Sequence, residues 1–277
     1  MINTTLKIPF TFYSDLAKQH RFRPQHRGME PFGLPCPQDA LLPFQIKTEI
    51  TDHFGGANAW KLFDIDGYAV LDLTAQIATL IETKTTTDGN VYFTYKGNPL
   101  GDITLPAGFY YVVFTADMAI SPGSPLLTNW YSEVLEIKEV TDMVKLEWWN
   151  ESDIDPLLYQ TGYKNRIYLD TYTEAMPPNL IQEGENNGEG EFVPSFHRVV
   201  YKHKFEAFIP DYLQDAMAML PIHDHVRITE NGDSALIYQL KVTPDYGENY
   251  IGTCRLEFEL SNKYMKTSCP KNISLAS

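Results

Sequence analysis

The chain has 277 residues, of which 43% are hydrophobic and 21% are charged, a balance typical of a folded globular protein. Its formal net charge of −14 at pH 7 argues against binding to nucleic acid or to an anionic membrane, because phosphate-binding surfaces need clustered Lys and Arg. The three cysteines, Cys36, Cys254 and Cys269, are too widely spaced to indicate a disulfide framework or a zinc site. The absence of a signal sequence and of a long apolar run predicts a protein made in a reducing cytosol that does not span a membrane.

Basic residues concentrate at the start of this otherwise acidic chain. Residues 1–30 contain five Lys and Arg against two acidic residues. The first 40 residues also contain five prolines, which interrupt helices and central strands. We expect residues 1–40 to form an extended arm that carries Arg21, Arg23 and Arg27 to the acidic body of a neighbouring copy. The alternative is a solvated, frayed terminus.

Residues 41–140 show the alternation of apolar and polar residues that is typical of short β-strands. Strands are predicted at Phe44–Thr48, Tyr68–Thr74, Ala78–Lys84, Val91–Lys96, Leu105–Met118 and Trp130–Val140. Asp88-Gly89 predicts a hairpin turn, because both positions tolerate positive φ. Short strands separated by regular turns indicate a β-sandwich, and the last two strands are similar to those of an immunoglobulin- or fibronectin-like domain.

The apolar–polar pattern of residues 141–261 predicts a second β domain, which starts with an alternating strand at Val144. A short strand is predicted at Tyr168–Tyr172, and Phe196–Ile209 is predicted as one long strand. Its inward-facing residues are predicted to be Val199, Tyr201, Phe205 and Ala207. Residues 262–277 lack periodicity and are predicted to form a C-terminal tail. The predicted fold is therefore mainly β, with two packed β-sandwich-like domains and an extended N-terminal arm.

One short helix is predicted at 211–220, inside the second domain. Asp211 is expected to be its N-cap, because Gln214 follows three residues later in capping-box register. Four apolar residues recur at helical spacing and predict one stripe that faces the sheet: Leu213, Ala216, Met217 and Leu220.

The residues His223, His225 and Glu230 resemble the centre of a cupin metal motif, in which two His and one Glu bind a divalent metal. The match fails at its edges, because Met217 stands where a Gly is expected and no later His is present. Hydrogen-bonded surface histidines are the alternative. We therefore expect no metal and no cofactor, and His223, His225 and Glu230 remain the weak candidate ligands.

The segment Glu183–Glu191 contains four Glu and three Gly and no apolar residue, so it is predicted to be a surface loop. Its acidic residues, Glu183, Glu185, Glu189 and Glu191, are predicted to contact a partner. A solvated hairpin loop and a Ca²⁺ site built from hard oxygen ligands are the alternatives.

Four aromatic residues, Trp149, Tyr159, Tyr163 and Tyr168, are predicted to be interface or domain-packing residues, and a sugar-binding platform is the alternative. Of the four, Trp149 is predicted to contact a partner. The sequence has no G-x-S-x-G, G-x-G-x-x-G, P-loop or H-E-x-x-H motif, so we expect no enzymatic activity.

An ordered series of motifs resembles a family of virion proteins from tailed phages of Bacteroidetes, including crAss-like phages. The series consists of YSEVLEIKEV, VKLEWWNESDI, YKNRIYLDTYTEAMPP, EGENNGEGEFVPSF and YLQDAMAMLPIHDHVRI. The resemblance covers about residues 105–260 and is strongest over 144–230. It implies a structural component of the neck, tail or baseplate that is built of β domains and assembled into a ring.

The resulting hypothesis is a non-enzymatic virion protein, made in the host cytoplasm, that binds copies of itself and other neck, tail or portal proteins. Rings of this kind use head-to-tail contacts that close by rotation. The alternative hypothesis is a carbohydrate- or receptor-binding β module. No direct binding to nucleic acid or membrane is expected.

Overall fold

The computed structural model describes residues 8–14, 32–48, 53–54, 59–119, 125–154, 157–186, 188–246 and 251–260. Over these ranges the protein is mainly β, and twenty strands are accompanied by two α-helices. This confirms the predicted fold class, a β-sandwich-type protein with little helix. No helix in the described ranges is both long enough and apolar enough to cross a membrane.

Eleven of the described strands precede residue 140. They are β1 (Phe12–Ser14), β2 (Leu34–Cys36), β3 (Phe44–Thr48), β4 (His53–Phe54), β5 (Ala59–Asp64), β6 (Ala69–Asp72), β7 (Ile81–Thr85), β8 (Val91–Tyr95), β9 (Gly108–Ala119), β10 (Pro125–Ser132) and β11 (Leu135–Ile137). Helix α1 (Thr74–Leu80) lies between β6 and β7. The strands form an eight-stranded sheet around β9 and a three-stranded sheet of order β3-β8-β7.

The remaining described strands follow residue 140. They are β12 (Val144–Trp149), β13 (Asn165–Leu169), β14 (Glu174–Ala175), β15 (Asn179–Asn186), β16 (Phe192–Val200), β17 (Lys202–Pro210), β18 (His225–Glu230), β19 (Asp233–Asp245) and β20 (Ile251–Leu260). Helix α2 (Asp211–Ala218) lies between β17 and β18. Seven of these strands form an antiparallel sheet of order β13-β12-β18-β19-β20-β17-β14, and β15 and β16 form a separate pair.

Aromatic side chains fill the space between the two sheets of the first half. Phe44 of β3 lies with its ring centre 5.3 Å from that of Trp60 in β5. Trp60 in turn stacks on Phe114 of β9 at 4.1 Å. Residues 111–114 of β9 are all buried, so this strand is covered on both faces. Burial of large aromatic rings stabilises such a core more than any other side chains do.

The two halves of the chain share one core, although no described sheet combines strands from both sides of residue 140. Polar contacts also join them. The Gln45 side chain accepts a hydrogen bond from Leu158 N at 2.7 Å and donates to Thr94 Oγ1 at 2.8 Å. Because Gln45 is almost fully buried, this amide fixes how the Leu158 loop sits on the three-stranded sheet.

Described parts of the predicted N-terminal arm pack against the body as extended segments. Phe10 and Phe12 are buried in the common core. The strand β1 pairs with β10, and β2 pairs in parallel with β11 at an edge of the sheet. Pro35 lies within β2, where the edge position tolerates a residue without an N–H. Arg21, Arg23 and Arg27 lie outside the described residues.

Helix α1 occupies part of the segment that the sequence pattern predicts as a strand at Ala78–Lys84, so that prediction is wrong for its first three residues. The helix is held at its start by tertiary contacts. Thr74 N donates to Asp72 Oδ1 at 2.9 Å, and Thr74 Oγ1 accepts from Trp60 N at 3.0 Å. Ile77, on the inner face of the helix, is completely buried.

The segment predicted as one strand at Phe196–Ile209 is two strands that belong to different sheets. The break falls at Tyr201, between β16 and β17. Tyr201 is 46% exposed rather than inward-facing, because the chain changes sheets there. Phe205 and Ala207 are buried as predicted.

Helix α2 confirms the predicted apolar stripe but not the predicted cap. The helix ends at Ala218, two residues before the predicted end, and Leu220 lies in a short 3₁₀ helix that follows. All four stripe residues are buried: Leu213, Ala216, Met217 and Leu220. The N-cap is Pro210, and no side chain caps the helix. Gln214 is fully buried and donates to Asp245 O at 3.1 Å, so its amide joins the helix to the end of β19 instead of closing a capping box.

Candidate functional site

The strands β15 and β16 form a two-stranded hairpin that pairs with no other described strand. Eight register pairs join them, from Asn179 and Val200 to Asn186 and Phe192. At about 3.4 Å per residue, the hairpin is roughly 27 Å long. A two-stranded hairpin alone is marginally stable in water, so such an element is expected to gain stability from a partner.

The segment Glu183–Glu191, named here the acidic tip, forms the far end of this hairpin. The prediction of a loop is wrong for its first residues, because residues 183–186 continue the ladder of β15 opposite Phe192–Phe196, with a bulge after Glu183. The side chains of Glu185, Glu189 and Glu191 are exposed. The tip therefore presents several carboxylates to solvent at the end of a long element.

Trp149, at the end of β12, lies within a group of basic side chains. The ring of His225, its register partner in β18, stacks on it with ring centres 5.1 Å apart. Lys164 Nζ lies 4.1 Å from the centre of the Trp149 ring, and the guanidinium carbon of Arg227 lies 5.1 Å from it. Both distances are typical of cation–π contacts. We name these four residues the Trp149 face.

The carboxylates near the Trp149 face are already engaged. Glu147 accepts hydrogen bonds from Arg166 at 2.9 Å and lies 3.7 Å from Lys145 Nζ. Burial opposes its ionisation, but Arg166 and Lys145 together hold the pKa of Glu147 below its usual range. Glu151 lies 3.2 Å from His225 Nε2.

The other three aromatic residues are buried, as expected for residues that pack within the chain, and so they form no exposed platform. Tyr159, Tyr163 and Tyr168 are at most 9% exposed. Tyr163 donates to Asn165 Oδ1 at 3.0 Å, and Asn165 Nδ2 donates to Tyr159 Oη at 3.0 Å. These residues fill the core beside β13 because the loop before that strand folds inward, and only Trp149 of the four reaches the surface.

The structure does not bring His223, His225 and Glu230 together. His223 contacts Met219 O and Tyr159 Oη, at 2.9 and 3.0 Å. His225 and Glu230 occupy opposite ends of β18, which are about 16 Å apart at the usual rise per residue. Glu230 accepts hydrogen bonds from Thr173 N and Oγ1. Each residue therefore has its own partners, in different places.

The described parts of the chain hold no group of three or more His, Cys, Asp or Glu that is arranged to bind a metal. Cys36 and Cys254 are completely buried, and burial raises the pKa of each thiol to about 12. Thiols in this state are not nucleophilic at neutral pH. Cys254 alternates with Leu256 and Phe258 in β20, and all three are buried.

Sequence reasoning found Trp149 and the acidic tip but missed Lys164 and Arg227. Lys164 and Arg166, like His225 and Arg227, alternate in sequence and so share a strand face, which is the signal that could have identified them. No family model, no curated protein and no solved structure matches the chain.

Proposed function

We propose that this protein is a non-enzymatic structural subunit of a phage virion, which assembles with copies of itself into a ring of the neck or tail. The observation that carries the proposal is the β15–β16 hairpin, which pairs with no other described strand and ends in the acidic tip. The motif series that resembles virion proteins runs through this same hairpin.

A hairpin of this kind suits a contact between subunits for two physical reasons. Two strands that pair with no other described strand gain stability when they pack on a neighbour. A carboxylate-rich tip also selects a basic surface on that neighbour and repels acidic ones. Basic groups are available in Arg21, Arg23 and Arg27 and in the Trp149 face.

Contacts between two different patches of identical subunits are head-to-tail. They close into a ring when a whole number of the rotations from one subunit to the next completes a full turn. The same surfaces would join the ring to other neck, tail or portal proteins in the assembled virion. The role requires neither a bound metal nor a reactive side chain.

The proposal is tested with a variant in which the charge of the tip is reversed, Glu185→Lys, Glu189→Lys and Glu191→Lys. A control variant reverses three exposed carboxylates outside the hairpin and so changes the net charge equally: Asp102→Lys, Glu139→Lys and Asp142→Lys. Light scattering over a range of concentrations measures the oligomeric mass of each protein.

We expect wild type and the control variant to form one large oligomer. To assemble, the tip variant is expected to need a protein concentration higher than that of wild type by about tenfold or more. This corresponds to a loss of about 1.4 kcal/mol of association free energy per contact. Equal assembly of the tip and control variants would show that the tip takes no part in the contact. A wild-type protein that stays monomeric and binds no other virion protein would refute the proposed role.

A further inference from the structure

We infer that the Trp149 face of one copy is the surface that receives the acidic tip of the neighbouring copy. The inference rests on the proposed assembly and names its two mating surfaces. The partner that occupies the face is a second copy of this chain.

The cations of the face are held in place before any partner arrives. Lys164 and Arg227 both lie within cation–π distance of the Trp149 ring, and all three side chains are half-buried. Ordering long basic side chains in advance lowers the entropy that binding has to remove. Such a face is suited to binding carboxylates.

The positive charge of the face exceeds the negative charge that the described residues place beside it. Among the described residues, no carboxylate lies within 4 Å of Lys164 or Arg227. Glu147 is bound by Arg166 and Lys145 and is also attracted by Arg227, its register partner, and Glu151 is next to His225. The four lysine and arginine side chains here thus outnumber the two carboxylates, which already have partners, in a chain whose net charge is −14. An acidic partner is favoured, and the overall charge disfavours a phosphate polymer.

The acidic tip has a composition, rich in glutamate and glycine, that suits this face. Its glutamates alternate with glycines, and residues without a side chain let a backbone approach an aromatic ring closely. Phe192, which follows the tip, is 49% exposed and supplies an apolar contact for the Trp149 ring. The tip thus offers both carboxylates and an aromatic ring.

Among the residues that the structure describes, the two surfaces are not joined within one copy. No described hydrogen bond or ion pair joins the tip to Lys164, Arg227 or His225, and β15 and β16 pair with no strand of the sheet that carries the face. A contact between the tip and the face is therefore a contact between copies. Because the two patches differ, it is head-to-tail, the geometry that builds rings.

The test uses two charge-reversed variants of the whole chain. One reverses the face, with Lys164→Glu and Arg227→Glu, and the other is the tip variant with Lys at positions 185, 189 and 191. The matched control for the face is Lys61→Glu with Lys241→Glu, since both of these lysines are exposed and lie elsewhere. Circular dichroism and thermal melts confirm that every variant is folded.

We expect each reversed variant alone to lose assembly, by about tenfold or more in the concentration that is needed, and the control to assemble like wild type. Mixing the two reversed variants should restore assembly, because each positive tip then meets a negative face and each negative tip meets a positive face. One chain that carries both reversals should also assemble alone.

Zero-length carbodiimide cross-linking of the wild-type oligomer gives a second readout. It should join Lys164 to a glutamate of the tip, and a mixture of unlabelled and ¹⁵N-labelled chains shows that the two residues come from different copies. If wild type assembles while the face variant assembles equally well and no such cross-link forms, the inference is overturned and the proposed function stands. If wild type itself remains monomeric, the inference is overturned, and the proposed function is overturned as well if the protein binds no other virion protein.

Discussion

His223 shows how a residue that resembles a metal ligand can serve a structural role. Met219 O can only accept a hydrogen bond, so His223 Nδ1 carries the proton and Nε2 accepts from the Tyr159 hydroxyl. Asn165 and Tyr163 continue this chain of hydrogen bonds, in which each donor has one acceptor. The chain is satisfied only while His223 is neutral.

This arrangement predicts a dependence of stability on pH that comes from one residue. Burial lowers the pKa of His223 from 6.5, against the opposing effects of its backbone hydrogen bonds and of Asp224. The unfolded chain therefore takes up the proton at a higher pH than the folded protein does. Stability should be complete above about pH 6.5 and should fall as the pH drops from there to the lower folded pKa, by up to about 1.4 kcal/mol per pH unit.

His223→Gln should flatten this dependence, because Gln can donate to Met219 O and accept from Tyr159 without titrating. Urea unfolding at several pH values, from about 7.5 down to about 5, measures the difference between variant and wild type. Other titrating groups, including His203, whose pKa is also lowered by burial, are common to both proteins and cancel. Identical slopes for the two proteins would contradict this role for His223.

At the scale of the element, the turn after β8 connects the two halves of the chain. Gly97 has φ 72°, and its carbonyl accepts a hydrogen bond from Arg166 Nη1 at 3.4 Å. A Cβ at this position would lie 2.8 Å from that nitrogen and 3.2 Å from Leu41 O. Gly101 has the same φ, but a Cβ there would have nothing within 4 Å.

The two glycines form a matched pair for mutation. Gly101→Ala should cost only the strain of a left-handed residue, about 1–2 kcal/mol. Gly97→Ala should cost at least about 1 kcal/mol more, because it also displaces Arg166 from between Gly97 and Glu147. Chemical denaturation of both variants measures the difference. Equal losses would mean that Arg166 does not hold the two halves together.

Secondary structure was predictable from the sequence where the local pattern alone determines it. The Asp88-Gly89 hairpin, the two-sided burial of β9 and the stripe of α2 all follow from neighbouring residues. Helix α1 was missed because its start depends on Asp72 and Trp60, which no local pattern reveals. The break at Tyr201 was missed because β16 and β17 both alternate, and only their different partners separate them.

The candidate site was predictable only in part for the same reason. Trp149 and the tip glutamates stand out by residue type. Lys164 and Arg227 lie 15 and 78 residues after Trp149 and join it only through the register of β12 with its two neighbouring strands. Pairing over such separations is set by the whole sheet.

At the scale of the whole molecule, the distribution of charge is the feature that any assembly has to satisfy. Copies with a net charge of −14 repel each other, and they associate only where a local basic surface meets a local acidic one. The Trp149 face and the acidic tip supply one such pair. The tip lies at the far end of the eight-pair hairpin, where Glu185, Glu189 and Glu191 are exposed.

The assembly of the purified 277-residue chain into rings tests the proposed role most directly, and electron microscopy of negatively stained particles measures it. We predict closed rings with one copy number, in which a thin projection from each subunit lies on the next. Particles that are only monomers at the highest soluble concentration, or symmetric dimers that bury the same patch twice, would contradict a head-to-tail ring subunit.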